Sequence, residues 1–159
     1  MTSRSLHPVL DASHDMEIAV PPDWDVLDPA TVGPAVTCAV VAPIEPDLEF
    51  RPNVILTRSD IDRLSVAEWQ EHNETVLRDT LTAYTVVDRY EEFADYVVTD
   101  RRLADYVTPD GVNVTMTQWS RARAGRGVTL TVTVSTADFP EMVPLVEAIG
   151  ATWRWVDQA

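Results

Sequence analysis

Alternation of apolar and polar positions dominates the last third of the chain. Val128, Leu130, Val132 and Val134 fall on one side of an extended segment, and Thr129, Thr131, Thr133 and Ser135 on the other. Val114 and Met116 continue the apolar set in the preceding segment, and Thr115 and Thr117 the hydroxyl set. Two adjacent strands with this pattern predict a sheet face covered in threonine. Such a face is ordinarily solvated, though a helix can cover part of it. Trp119 shares the threonine side of its strand and is expected at the surface.

Earlier in the chain, Met16 to Val20 reads as a strand, stopped by Pro21-Pro22 because neither proline donates to a ladder. Trp24 is expected to fold back onto the core. Asp25 to Pro34 reads as loop, Thr37 to Ala42 as a strand and Pro43 to Glu49 as an acidic turn. Phe50 to Thr57 reads as a strand whose Pro52 marks an edge or a bulge. Residues 1 to 14 are polar and read as a loose tail, leaving 15 to 159 as one domain.

The period changes at Ser65. Ser65-Val66-Ala67-Glu68 is a capping box: the hydroxyl accepts from the amide three residues on, and the carboxylate reaches back. The helix it opens is expected to reach about Ala83. Val66, Trp69, Val76, Leu77, Thr80 and Leu81 share one face, and Glu68, Glu71, Glu74 and Arg78 lie mainly on the other.

Thr85 to Tyr90 reads as a short strand. Glu91 to Asp100 mixes charges with Phe93, Tyr96, Val97 and Val98 and predicts no defined element. Leu103 to Thr108 and Val112 to Arg121 are strands joined by Pro109-Asp110-Gly111, a turn in which Pro presets one dihedral and Gly accepts a positive one. A second turn spans Arg123 to Gly127. Asp138 or Thr136 caps a last helix through Ile149, with Pro140 in its first turn and Pro144 as a kink. Trp153 and Trp155 alternate in a short terminal strand.

Charge narrows the range of partners. The 159 residues include 26 acidic and 12 basic side chains, a formal net charge of −14, and every basic residue is arginine. Such a field repels nucleic acid and anionic membranes and favours a basic partner. The absence of lysine reads as the codon bias of a GC-rich bacterial genome. No stretch has transmembrane length or the apolar core of a signal peptide, so a soluble, cytoplasmic protein is expected.

Candidate chemistry is sparse. Cys38 is the single cysteine and lies in an apolar run, with neither base nor positive charge beside it. His7, His14 and His72 are scattered, so no metal site is expected. Asp60 and Asp62 lack the glycine and oxygen-rich loop of a calcium hand and sit before a helix. Glu91, Glu92, Asp95 and Asp100 supply carboxylates without a defined separation. No nucleophile elbow, phosphate loop or zinc-protease motif occurs, and no cofactor is expected. The reading is therefore a non-enzymatic binding or accessory protein, with a homodimer open. Its expected contact surface combines Trp119, Thr117 and Thr131 with the acidic loop residues Glu45, Asp47 and Glu49. The rival reading is a carrier holding a small apolar ligand in a cavity lined by the five tryptophans and the tyrosines, between sheet and helix.

The strand before Pro21-Pro22-Asp23-Trp24, the Phe50-to-Thr57 strand with Pro52-Asn53, the helix from Ser65, and the Gln118 strand leading through Val128 to Ser135 into a last helix together resemble the PsbP-like fold shared with Mog-type Ran-binding proteins. The pattern more closely resembles the actinobacterial LpqN-type proteins. The resemblance spans nearly the whole chain and implies an α+β domain, an antiparallel sheet packed with helices. It implies no catalytic residues, and its relatives range from photosystem subunits to Ran binders and secreted lipoproteins. Cys38 lies inside an apparent strand, so lipid anchoring is not expected.

Overall fold

A computed structural model describes residues 5–156, and these described residues form ten strands and two helices. In order they are β1 (His7–Leu10), β2 (Met16–Val20), β3 (Asp25–Leu27), a 3-10 turn (Pro29–Thr31), β4 (Val36–Val41), β5 (Asn53–Asp60), α1 (Val66–Thr80), β6 (Thr82–Ala94), β7 (Val97–Val107), β8 (Asn113–Arg123), β9 (Arg126–Ser135), α2 (Phe139–Gly150) and β10 (Arg154–Trp155). A seven-stranded antiparallel sheet has the order β3-β4-β5-β9-β8-β7-β6. A second sheet, β1-β2-β10, packs over one of its faces together with α2, while α1 covers the other.

Several expectations change. The tail expected over 1 to 14 is paired over His7–Leu10, where β1 lies antiparallel to β2. The loop expected from Asp25 contributes β3, an edge strand against β4. Pro52 marks no edge. It precedes β5, which is flanked by β4 and β9, and its carbonyl accepts from the Ala42 amide at 2.8 Å. The last helix, by contrast, runs as expected past an internal Pro144, with α2 spanning Phe139–Gly150.

The largest departure concerns which side chains share a face. Ala124 and Gly125, both at positive φ, make a two-residue turn that pairs Arg123 with Arg126. That register sets Trp119 opposite Leu130, Thr117 opposite Val132 and Thr115 opposite Val134. A five-residue turn was expected, and the shorter one shifts the pairing so that every β8 side chain changes face. Trp119 and Thr117 therefore stand on the valine face, while Met116 and Val114 join the threonines.

The valine face carries the main core. Val128, Leu130, Val132 and Val134 meet Met16, Ile18 and Val20 from β2, Val146 and Ile149 from α2, and Trp24, Trp119 and Trp153. The threonine face lies largely beneath α1, which the capping box starts as its sequence predicts. Ser65 Oγ accepts from the Glu68 amide at 3.1 Å, and Glu68 Oε2 accepts from the Ser65 amide at 2.9 Å.

Candidate functional site

The expected contact surface does not assemble. Trp119 is 4% exposed, enclosed between the close of α2 and the guanidinium of Arg101, whose carbon lies 5.1 Å from the ring centroid. Thr117 is buried beside it, and Thr131, half-buried, accepts from Gln118 on the opposite face. Glu45, Asp47 and Glu49 are exposed in the loop between β4 and β5. The cause is the register of β8, which turns Trp119 inward.

Two of the tryptophans expected to line a cavity between sheet and helix pack instead against glycine backbone. A side chain on Gly127 would meet the Trp69 ring at 2.5 Å, and one on Gly150 would meet Trp119 at 2.2 Å. Those two rings occupy the space under α1 and α2 themselves.

A polar core beneath α1 escaped the reading of the sequence. Glu74, assigned to the solvated face, is buried, and Val76, assigned to the apolar face, is exposed. Arg102 reaches up from β7 and is almost wholly enclosed. Its Nη1 donates to Gln70 Oε1 at 3.1 Å and Gln118 Oε1 at 3.0 Å, its Nη2 donates to the Gln70 carbonyl at 3.1 Å, and its Nε lies 2.9 Å from Glu74 Oε2. The Tyr84 hydroxyl donates to the same carboxylate, and burial with that partner pushes its pKa up to about 12. Arg89 adds a second clasp, 3.1 Å from Glu71 on α1 and 3.2 Å from the enclosed Asp100 on β7. A buried cation needs such partners, and this one joins helix to sheet.

The exposed chemistry lies at the end of the β6–β7 hairpin. Asp95 and Tyr96 have φ of 52° and 63°, so the strands are joined by a two-residue turn of the type whose central residues are both left-handed. Phe93 is 72% exposed and Tyr96 95% exposed. Beside this tip runs an open groove of about 740 Å³. Leu64, Val66 and Val98 line it with Tyr96, Trp155, Arg121, Arg123 and Arg154. Arg121 projects from β8, donates from Nε to Thr99 Oγ1 at 2.8 Å and from Nη1 to the Trp153 carbonyl at 3.0 Å, and stacks on the Trp153 ring at 4.3 Å. Burial holds its guanidinium below the ordinary arginine range, with the charge of Glu92 working the other way. Arg123 stacks on Trp155 at 5.7 Å, and Arg154 lies 2.9 Å from Glu17.

Among the described residues no three His, Cys, Asp or Glu side chains converge as metal ligands, and no helix is long and apolar enough to cross a membrane. Cys38 is enclosed in the core, where burial and the charge of Asp11 push its thiol up to about 11. A nucleophilic cysteine needs the opposite shift.

No family model matches this sequence, and no curated protein does. Solved structures do. CyanoP, the cyanobacterial PsbP of Synechocystis sp. PCC 6803, superimposes with a TM-score of 0.74 at 15% identity, over 96% of this chain and 94% of its own. LpqN of Mycobacterium tuberculosis, involved in cell envelope biogenesis, gives 0.68 at 15% identity, over 96% and 91%. The Ran-binding protein Mog1p of Saccharomyces cerevisiae gives 0.65 at 15% identity, over 98% and 97%. The chain thus has the PsbP-like α+β fold. At this identity the likeness is one of fold, and LpqN stands level with the other two in identity, so the kinship expected with LpqN-type proteins in particular is not distinguished.

Proposed function

We propose that this chain is a non-enzymatic accessory module that binds another protein through the β6–β7 tip and the groove beside it. The observation that carries the reading is Tyr96. It stands almost wholly in water, on a backbone with φ of 63°. The turn sets this conformation, a residue other than glycine there costs roughly 1–2 kcal/mol, and a 95% exposed ring adds nothing to the core. Aromatic side chains are the usual anchors of protein interfaces. Phe93, Val98 and Trp155 extend the same surface. Mog1p is a Ran-binding protein, so docking a protein partner has a precedent in this fold.

The test is a photo-crosslinking amino acid placed at Tyr96 in the living host, with Asp110 as control. Asp110 is exposed in the turn at the far end of β7. A discrete protein adduct from position 96 and none from position 110 supports the reading. Adducts from both positions, or from neither, overturn it.

A further inference from the structure

β6 is an edge of the seven-stranded sheet, with β7 on one side and no strand among the described residues on the other. It runs for 13 residues, against 3 for β3 at the opposite edge. Register shifts between Thr82 and Thr85 and between Val86 and Asp88 interrupt its first half. From the Asp88–Leu103 pair to the Ala94–Val97 pair the ladder is continuous. The two-residue turn makes Ala94 and Val97 a hydrogen-bonded pair, so Glu92, Tyr90 and Asp88 bond β7. Phe93, Glu91 and Arg89 then direct their amides and carbonyls away from it. No hydrogen bond reaches those outward groups among the described residues. From Asp88 to Ala94 every residue except Arg89 is exposed. An open run of ladder groups is satisfied by an extended backbone.

The side chains decide whose backbone it is. A second copy paired antiparallel about a two-fold axis at Asp88, Arg89, Glu91 or Glu92 sets that residue against itself, and one at Tyr90 sets Asp88 against Glu92. Each of these registers brings like charges directly opposite, which destabilises a strand pair. The charge left open on the edge is negative. Arg89 is clasped by Glu71 and Asp100, and Glu92 lies 3.4 Å from Arg101, whereas Asp88 and Glu91 have no ion pair among the described residues. Glu91 shares the α1 face of the strand with Phe93, and Asp88 shares the α2 face with Tyr90. Each open carboxylate thus stands on the same face as an exposed aromatic ring.

We infer that a protein partner adds an antiparallel strand to the outer side of β6, with basic residues opposite Glu91 and Asp88 and apolar residues opposite Phe93 and Tyr90. In the partner's own chain direction the pattern runs apolar, any, basic, apolar, any, basic. This rests on the docking reading above, because β6 leads into the turn that carries Tyr96, and it adds the partner's conformation and sign. The basic partner expected from net charge is thereby given a place, at two carboxylates of one strand.

The experiment follows amide hydrogen exchange of the full ¹⁵N-labelled chain with and without a synthetic peptide carrying Val-Thr-Arg-Val-Thr-Arg between serines. At saturation Arg89, Glu91 and Phe93 should gain about tenfold protection or more, while Tyr90 and Glu92, already bonded to β7, change little. Affinity should fall severalfold from low to physiological salt. Glu91→Gln should weaken binding about threefold, as loss of one cross-strand charge pair does. Glu91→Pro removes the central outward amide at an edge position where proline is tolerated, and should weaken binding about tenfold. A Glu-for-Arg peptide that protects the same amides equally well overturns the basic assignment. Uniform slowing along β6, without the alternation, overturns strand addition. A dimer of the chain alone in native mass spectrometry, protected at the same three amides, overturns it in favour of a second copy. No protection together with a clean Tyr96 adduct overturns strand addition and leaves the docking reading standing. No protection and no adduct removes both proposals.

Discussion

Gly150 closes α2 directly over Trp119, and one added methyl group tests how tightly the helix sits on the sheet. A Cβ there would stand 2.2 Å from Cζ2 of the ring, 2.6 Å from Cε2 and 2.7 Å from Cη2. The indole is held against Leu130 across the strand pair and beneath Arg101, which Glu147 of α2 holds in turn. Overpacking of this kind costs about 1–3 kcal/mol, and the rigid ring places it near the upper end. The helix propensity of alanine offsets at most about 1 kcal/mol. Gly150→Ala should therefore destabilise by about 2 kcal/mol, or lower Tm by roughly 4–8 °C for a chain of this size. Thermal unfolding followed by circular dichroism reads the shift. Trp119→Leu supplies a second arm. It leaves a cavity by itself, but the alanine methyl can enter it, so the double variant should be more stable than the sum of the singles by at least about 1 kcal/mol. Glycine to alanine within a helix ordinarily stabilises, so a Tm at or above wild type would falsify the packing argument by its sign alone. Additivity to within about 0.5 kcal/mol would separate the two residues.

Two further outcomes follow from the electrostatics. Arg102→Met takes from Glu74 its enclosed partner, leaving it Arg78 at 3.2 Å and the Tyr84 hydroxyl, and should cost about 1–3 kcal/mol in urea unfolding, whereas Arg102→Met with Glu74→Leu should cost less than the single change; a single variant as stable as wild type contradicts the role of this pair in holding helix to sheet. Burial pushes the Asp15 carboxyl up, but the Ser13 hydroxyl and the charges of Arg58 and Arg126 outweigh it and hold the group below its ordinary value of 3.8. A lowered native pKa adds stability that is fully present above the unfolded value and is lost as pH falls through the native one. Asp15→Asn should therefore be less stable than wild type at neutral pH, with the gap closing in acid below that ordinary value; a gap that persists unchanged into strong acid removes the ionised carboxylate as its cause.

Local signals in the sequence were read correctly where the physics is local. The Ser65–Glu68 box needs only four consecutive residues, and α1 starts where it says. The β6–β7 hairpin was missed because its turn lacks the usual marker. Asp95 and Tyr96 adopt positive φ without glycine, so Glu91 to Asp100 showed charges and aromatics with no break between two strands. Glu74 was misplaced because a carboxylate on a helix is assigned to water by default, and partners such as Arg102, on a strand 28 residues away, and the Tyr84 hydroxyl make its burial tolerable.

The sequence by itself determined the alternating strands of the last third, the capped helix, the α+β class and the likeness to the PsbP-like fold. Alternation and capping act between near neighbours, and composition sums over the whole chain. Tertiary structure decided the faces and the sites. The two-residue turn at Ala124-Gly125 sent Trp119 inward, since a strand's side chains change face together when register moves by one. The groove draws Leu64, Tyr96, Arg121 and Trp155 from four separate segments. It is a property of their meeting, which exists only once the chain has folded.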